Sequence, residues 1–291
     1  MIVDFKVHFR NRAGDARSID LRLDSQDFVQ NDIAVAIYKG QFYEHELSLF
    51  MAMVLDDGDV AFDVGVNAGY FTALMGKLVG PSGLVVGFEP NPRLWELATH
   101  HATVNGVTLD LRRIGVCDSA GSVWFRDNGP DDTNGAFAHA GDNPEQTARR
   151  FAVQTDTLDN VVLGNGGAGL AGRLPKLIKL DIEGAEMAAL KGAHRLLCAG
   201  ALEFVSCEIN GPQLHLFGTS AVEIRRLMLG YGFDTYLLDA DGGMPRFVPP
   251  NVDIRASYVT NVLFARTACL AKYWPSVTVV PAAARLLETK R

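Results

Sequence analysis

The chain opens with a strict alternation of apolar and polar positions. Val3, Phe5, Val7 and Phe9 stand between Asp4, Lys6, His8 and Arg10, and Ile19, Leu21 and Leu23 repeat the pattern after a turn containing Gly14. A period of two is a strand with one buried face, and two such runs around a glycine turn predict a β-hairpin. The hairpin precedes the first core strand, so residues 1–37 read as an appendage: a lid, a dimer contact or a substrate wall. From residue 41 the period changes. Phe42, Leu47, Leu49, Phe50, Met53 and Val54 are spaced for a helix over 41–55, which Asp56-Asp57-Gly58 stops.

Strand and helix then alternate. Apolar strands are predicted at 60–64 and 84–88 and helices at 70–79 and 92–105. The second helix has Pro92 in its first turn and ends at Asn105-Gly106. A third strand follows at 109–116. This βαβαβ rhythm predicts a mostly parallel sheet with helices on both faces. It breaks at 122–125 and 151–154, short extra strands around the polar segment 127–150, and again at 163–172, which carries five glycines. Loops this long in a compact domain are usually functional or disordered. Strands at 177–180, 204–209, 233–238 and 258–265 and helices at 184–197 and 221–231 resume the rhythm. Neither a linker nor an internal repeat divides the chain. Residues 38–270 therefore read as one α/β domain with a seven-stranded sheet, and 271–291 as a tail.

Composition narrows the partners. With 291 residues and 48% hydrophobic content, the chain can bury a large core. A formal charge of −7 and a pI near 5.5 argue against gripping nucleic acid through its phosphates. The four cysteines (Cys117, Cys198, Cys207 and Cys269) have neither CxxC nor zinc spacing and read as reduced thiols. The N-terminus lacks the apolar run of a signal peptide. No stretch approaches the roughly 20 apolar residues of a membrane span. A cytoplasmic protein without integral membrane association is expected.

The chemistry gathers at the ends of strands. In Asp63-Val64-Gly65-Val66-Asn67-Ala68-Gly69, glycines stand where a strand turns into a helix. Glycine permits positive φ and close backbone approach, and a helix N-terminus offers free N–H groups. A dinucleotide fingerprint is G-x-G-x-x-G; here a carboxylate and an asparagine intervene, which disfavours a pyrophosphate and favours a zwitterionic amino-acid ligand. A merely structural turn would use the same glycines. Glu89 ends the next strand, about 20 positions beyond the turn, where α/β nucleotide sites bind ribose hydroxyls. Asp118, past the third strand, is a candidate for an adenine amino group.

Further along, Asp181-Ile182-Glu183-Gly184-Ala185-Glu186 closes an apolar strand interrupted by Lys179, and Glu208-Ile209-Asn210 closes the next. Ligands of open α/β sheets sit beyond the carboxyl ends of strands. Asp181, Glu208 and Asn210 offer oxygens that Mg²⁺ would accept. Glu183 lies near them, while Glu186 reads as a first-turn acid favoured by the helix dipole. His215, on the loop after that strand, has the pKa of a general base. The candidate bases are His215, Asp181, Glu183 and Glu208, in that order.

Together these residues resemble the FkbM family of S-adenosylmethionine-dependent methyltransferases. The match runs through Phe62-Asp63-Val64-Gly65 with Asn67 and Gly69, then Phe88-Glu89-Pro90-Asn91-Pro92 and Thr155-Asp156-Thr157-Leu158-Asp159. It continues through Ile178-Lys179-Leu180-Asp181-Ile182-Glu183-Gly184-Ala185-Glu186 to Leu190-Lys191-Gly192-Ala193. The resemblance implies a Rossmann-like class I sheet and methyl transfer, usually to a hydroxyl of a polyketide-type secondary metabolite or a sugar. It implies that Gly65, Asn67 and Gly69 cradle the methionine end of the cofactor, with Asp63 near its amine and Glu89 on the ribose. Tyr70, Asn91 and Asp181 are expected to bind the cofactor as well. The expected partner is a small hydroxylated molecule, and a homodimer is one use of the hairpin. Two rivals remain: a nicotinamide-dependent oxidoreductase, which the missing G-x-G-x-x-G disfavours, and an idle scaffold, which acids at four strand ends disfavour.

Overall fold

Val60, Phe62 and Val64 are buried on one face of a strand, and Ala61 and Asp63 on the other. A strand apolar on both faces belongs at the centre of a covered parallel sheet. The computed structural model places it there, and describes residues 1–129, 131–138, 149–164, 170, 172–254 and 259–274. The N-terminal strands β1 (Ile2–Arg10) and β2 (Ala16–Asp24) form the antiparallel hairpin. Helices α1 (Phe28–Tyr38) and α2 (His45–Val54) lead into β3 (Val60–Val64). Then come α3 (Tyr70–Val79), β4 (Leu84–Phe88), a 3₁₀ turn at Pro92–Leu94, α4 (Trp95–Val104) and β5 (Leu109–Arg112).

A second group of strands follows: β6 (Gly115–Val116), β7 (Gly121–Asp127), β8 (Gly135–Phe137) and β9 (Arg149–Asp156). Beyond α5 (Leu158–Leu163), β10 (Leu177–Leu180) returns to the main sheet. The chain continues through α6 (Glu186–Lys191), α7 (His194–Cys198), β11 (Phe204–Ile209), α8 (Gly211–Leu216) and α9 (Ala221–Gly230). It closes with β12 (Asp234–Leu237), β13 (Arg246–Phe247), β14 (Thr260–Ala265) and α10 (Thr267–Leu270).

The main sheet has the order β13-β12-β14-β11-β10-β3-β4-β5. From β5 to β11 the strands are parallel; β14, β12 and β13 are antiparallel to their neighbours. The fold is thus the expected Rossmann-like α/β sheet, with the two-residue β13 added at one edge. One core packs α1, α2, α3 and the hairpin against Ala61, Val85, Leu177 and Phe204. The other packs α5 to α9 against Phe62, Val86, Ile178 and Val205. The hairpin is fastened by Ile19, Leu21 and Leu23, each at most 2% exposed, and burial on that scale contributes roughly 1.5–3 kcal/mol per side chain.

Several elements differ from the pattern-based expectation. The strand expected over 109–116 divides, because β6 leaves the main sheet to pair with β9. The helix expected over 184–197 breaks at Gly192, whose Cα lies so close to the Cys117 carbonyl that a Cβ there would collide with it. Residues 211–216, expected as loop, are α8, capped by Asn210 accepting from Gln213 N. Helix α1 follows the hairpin, with Asp27 as its N-cap accepting from Gln30 N at 2.9 Å. Much of 127–150, most of 163–172, the start of the strand expected at 258–265 and the tail beyond 274 lie outside the described residues. Among the described residues no helix is long and apolar enough to cross a membrane.

Candidate functional site

A cavity of about 730 Å³ opens at the carboxyl ends of the parallel strands. That volume is in the range of small-molecule sites. Its floor runs from Glu89 after β4, past Gly65 and Asn67 after β3, to Asp181 after β10 and Glu208 near the end of β11. Helix α1 contributes Phe28, Val29 and Ile33, and residues 133–137 of the polar segment supply a further wall. That segment is tied to α1: Phe28 N donates to Asp131 O at 2.8 Å, and Thr133 Oγ1 donates to the buried Asp27 Oδ1 at 3.0 Å.

The glycine turn is shaped partly by its own protein. Gly65 has φ +90°, and a Cβ there would strike the Asp181 carbonyl, so two strand ends meet because this residue lacks a side chain. Asn67 follows in the left-handed region at φ +49°. Its backbone N–H donates to Glu89 Oε2 at 2.9 Å, while Asn91 N donates to Glu89 Oε1 at 2.8 Å. Glu89 is therefore held by two N–H groups, yet burial pushes it up to about 7. The side-chain Oδ1 of Asn67 is buried on the cavity wall and, among the described residues, has no protein donor. An orphaned acceptor beside a buried carboxylate fits the amine- and hydroxyl-bearing end of an adenosyl amino acid, since unpaired buried acceptors are costly.

Asp63 lies beneath this turn, not on the cavity wall. It is fully buried, accepts from Thr72 Oγ1 at 2.6 Å, and lies 3.7 Å from Lys179 Nζ. Burial raises its pKa, with Lys179 and Thr72 opposing. Lys179 also donates to Asp181 Oδ2 at 2.9 Å and to Gly65 O at 3.3 Å, and stacks over Phe71 at 5.0 Å. Burial opposes its charge, but Asp181, Asp63 and Glu44 outweigh that and hold the ammonium above its ordinary pKa. One interior lysine thus links the glycine turn to the acid cluster.

In that cluster, carboxylate oxygens of Asp181, Glu183 and Glu208 lie within 4.8 Å of one another. Burial, then repulsion from Asp181, pushes Glu183 up to about 7, with the Asn210 amide opposing from 3.3 Å. Burial first, then repulsion from Asp181 and Glu183, raises Glu208 further. Glu44 faces the same space; burial first and Asp181 second raise it, and its Oε2 accepts from Asn261 Nδ2 at 2.6 Å. Glu186 belongs elsewhere. Its Oε1 accepts from Ile182 N and Gly184 N, capping the turn into α6.

Of the residues read from the sequence, Gly65, Asn67, Tyr70, Glu89, Asp181, Glu183 and Glu208 line the cavity, and Asp63, Gly69 and Asn91 lie outside its lining. Two more lie outside the lining. Asp118 is exposed and accepts from Ser119 Oγ at 3.0 Å, two residues beyond the end of β6. His215 is exposed on α8, outside the cavity lining, since its loop closes into a helix with Leu214 on the buried side. Asn210 donates its amide to Glu183 and accepts at Oδ1 from Gln213 N at the α8 cap, which ties it to the acid cluster. Tyr43, Glu44, Arg246 and Asn261 were not anticipated. Lys179 was visible as a charge inside an apolar strand, and Glu44 only as a glutamate ahead of α2.

Backbone strain marks the same place. Among the described residues the non-glycine positions with positive φ are Glu44 (41°), Asn67 (49°) and Glu183 (53°), and all three line the cavity. Such conformations cost about 1–3 kcal/mol each and cluster at functional sites.

Comparison with known proteins fits this geometry. A family model described as the methyltransferase FkbM domain matches residues 63–235, more than half of the chain. The hexuronic acid methyltransferase AglP of Haloferax volcanii is 27% identical over 157 residues, 53% of this chain and 57% of that protein. The match therefore spans little more than half of that relative. Among solved structures, a SAM-dependent O-methyltransferase from Thermotoga maritima aligns at 14% identity and TM-score 0.40, covering 89% of this chain and 77% of that one. An rRNA methylase from Streptococcus thermophilus aligns at 13% and TM-score 0.40, covering 76% and 95%.

Proposed function

Since the chain belongs to the FkbM methyltransferase domain family, we propose that it is an S-adenosylmethionine-dependent O-methyltransferase whose acceptor is a hydroxyl of a small sugar-type molecule. The observation that carries this reading is the two-ended cavity: a glycine turn with Asn67 and Glu89 at one end, and the Asp181–Glu183–Glu208 cluster at the other. In this reading Asn67 Oδ1 and Glu89 bind polar groups of the cofactor. When bound, S-adenosylmethionine supplies an electrophilic methyl group on a cationic sulfur.

The acceptor end must hold a hydroxyl and remove its proton. Glu183, at about 7, is matched to that task near neutral pH, where a base is half ionised. Asp181 is kept in place by Lys179, and Glu208, whose charge is disfavoured by burial, stands beside it. An acceptor of the sugar class is supported by the Haloferax relative, whose name gives a hexuronic acid as its substrate. A secondary metabolite of polyketide type has no comparable support. The acid-rich wall also disfavours a nicotinamide dinucleotide, whose pyrophosphate would meet Glu89 and Asp181 with Lys179 already engaged.

A second reading gives the activation to a divalent cation. Three carboxylates within 4.8 Å are hard oxygen donors of the kind Mg²⁺ takes, and a bound cation would lower the pKa of an acceptor hydroxyl. Full turnover after exhaustive chelation would eliminate this version. The principal test is calorimetry with S-adenosylmethionine and S-adenosylhomocysteine, then mass spectrometry of hydroxylated sugars incubated with the first. Binding and the gain of one methyl are expected. Absence of binding by either ligand would overturn the proposal.

A further inference from the structure

Three segments far apart in sequence meet at the end of the cavity assigned to the cofactor. Asp27 caps α1, and its Oδ1 accepts from Gln30 N at 2.9 Å and from Thr133 Oγ1 at 3.0 Å. Both residues are nearly out of water, Asp27 at 3% and Thr133 at 4% exposed. A serine would cap the helix as well, so what the longer acid adds is the reach to Thr133. Arg93 fastens the same segment upstream of Thr133, donating to the buried Asp127 and to Gly129 O. Thr133 in turn lines the cavity beside Asn67, whose Nδ2 donates to the Thr133 carbonyl at 3.5 Å. That contact decides which end of the amide meets a ligand. Turned over, the side chain would set Oδ1 against the carbonyl oxygen, two acceptors with no proton between them. With Nδ2 on Thr133, Oδ1 is the end left for the cavity.

We propose that Asp27 and Thr133 are positioning residues for the cofactor: Asp27 fixes Thr133, and the Thr133 carbonyl presents Asn67 Oδ1 to the amine or hydroxyl that it binds. This rests on the methyltransferase reading and adds to it two residues that act through Asn67. The backbone supports the same account. Asn67 is held in the left-handed region at φ +49°, and its N–H is engaged by Glu89. Rotation of the side chain is the freedom that remains, and Thr133 removes it. The N-terminal appendage, which carries Asp27, thereby takes part in cofactor binding at one remove. None of these groups belongs to the Asp181–Glu183–Glu208 cluster, so the inference holds whether that cluster works with a proton or a metal.

The test measures S-adenosylhomocysteine affinity of the full chain by calorimetry. Thr133→Val is isosteric, keeps the carbonyl, and leaves Asp27 to cap Gln30 N. It should weaken binding about tenfold, the scale of one hydrogen bond lost. Thr133→Ser restores the hydroxyl and should return the affinity to within about threefold of wild type. Asn67→Gly removes the amide at a backbone conformation that glycine accepts. In that background Thr133→Val should change the affinity by less than about twofold, because the group it positions is gone. A purely structural role for Thr133 would give the same loss in both backgrounds. That result, or an unchanged affinity in Thr133→Val alone, would overturn the proposal. Should Thr133→Val not fold, Asp27→Ser reads the same contact from the other side, since serine caps α1 with a side chain one bond shorter. Failure of the methyltransferase reading shows separately, as a wild type that does not bind S-adenosylhomocysteine.

Discussion

Replacing Lys179 with methionine tests the electrostatic centre of the site. The side chain is 3% exposed and that of Asp63 is 0% exposed, with 3.7 Å between them and 2.9 Å from Lys179 to Asp181. Methionine preserves most of the apolar stem and its contact with Phe71, so the loss is almost wholly of charge. Asp63 would then keep only the Thr72 hydroxyl. Breaking a buried ion pair from one side costs about 3–5 kcal/mol because the partner stays buried without compensation. At roughly 2–4 °C per kcal/mol for a chain of about this size, the melting midpoint should fall by some 6–20 °C. Adding Asp63→Asn removes the stranded charge, so the double variant should be more stable than Lys179→Met alone, a coupling of about 1–3 kcal/mol. Urea unfolding of wild type, both single variants and the double measures this directly. A Lys179→Met cost below about 1 kcal/mol, or simple additivity, would refute the assignment of Lys179 as the counter-charge of Asp63.

Two further outcomes follow from named groups. Glu183 has a folded pKa of about 7 against an ordinary 4.5, so its stabilising protonated state is complete below about 4.5 and lost as pH rises through 7. That limb amounts to roughly 3 kcal/mol, and Glu183→Gln should flatten it, leaving the variant more stable than wild type at pH 8 while abolishing the acidic limb of kcat; unchanged pH profiles of stability and kcat would remove Glu183 as the base. His101 is fully buried and neutral, since burial lowers its pKa; its Nδ1 donates to Ala68 O at 2.7 Å and its Nε2 accepts from Arg22 N at 2.8 Å. His101→Leu strands a carbonyl and an N–H, and should cost about 2–5 kcal/mol in urea titration; a loss under about 1 kcal/mol would show that the hairpin is not anchored through this ring.

Much of this was legible in the chain because the signals are local. The strands at 60–64, 84–88, 177–180 and 204–209 are short apolar runs bounded by turn residues, and they form with those limits. Asp181, Glu183 and Glu208 come together at the cavity because the carboxyl ends of parallel strands converge by topology alone. What was missed depends on contacts distant in sequence. Glu44 matters only because Asn261, far along the chain, reaches it. Arg246 lines the cavity only because a two-residue strand pairs with β12 at the edge of the sheet. His215 and Asp118 lie outside the cavity lining for one reason. Each was placed by its position after a strand, but His215 falls on the exposed side of a helix and Asp118 in an exposed bend. The interruption of an apolar strand by Lys179 was the one unexploited clue, since a buried lysine requires buried acids.

The strain and the surplus of carboxylates bear on one question, whether the cluster works through a proton or a metal. Burial first, then Asp181 and Glu183, disfavours the charge of Glu208 in the protein without a cation. Glutamine is nearly the same shape and carries no charge, so Glu208→Gln should change stability at pH 7 by less than about 1 kcal/mol, the range of a near-isosteric polar exchange. A bound divalent cation reverses that expectation. It would keep Glu208 ionised, and the substitution would remove a ligand instead of a proton. Melting curves of both proteins with millimolar Mg²⁺ and with chelator separate the cases. If the cluster works by proton transfer, neither protein shifts with Mg²⁺ and Glu208→Gln melts with the wild type. A midpoint that rises with Mg²⁺ in the wild type and not in the variant would assign the cluster to the metal, and Glu183 would lose its role as the base.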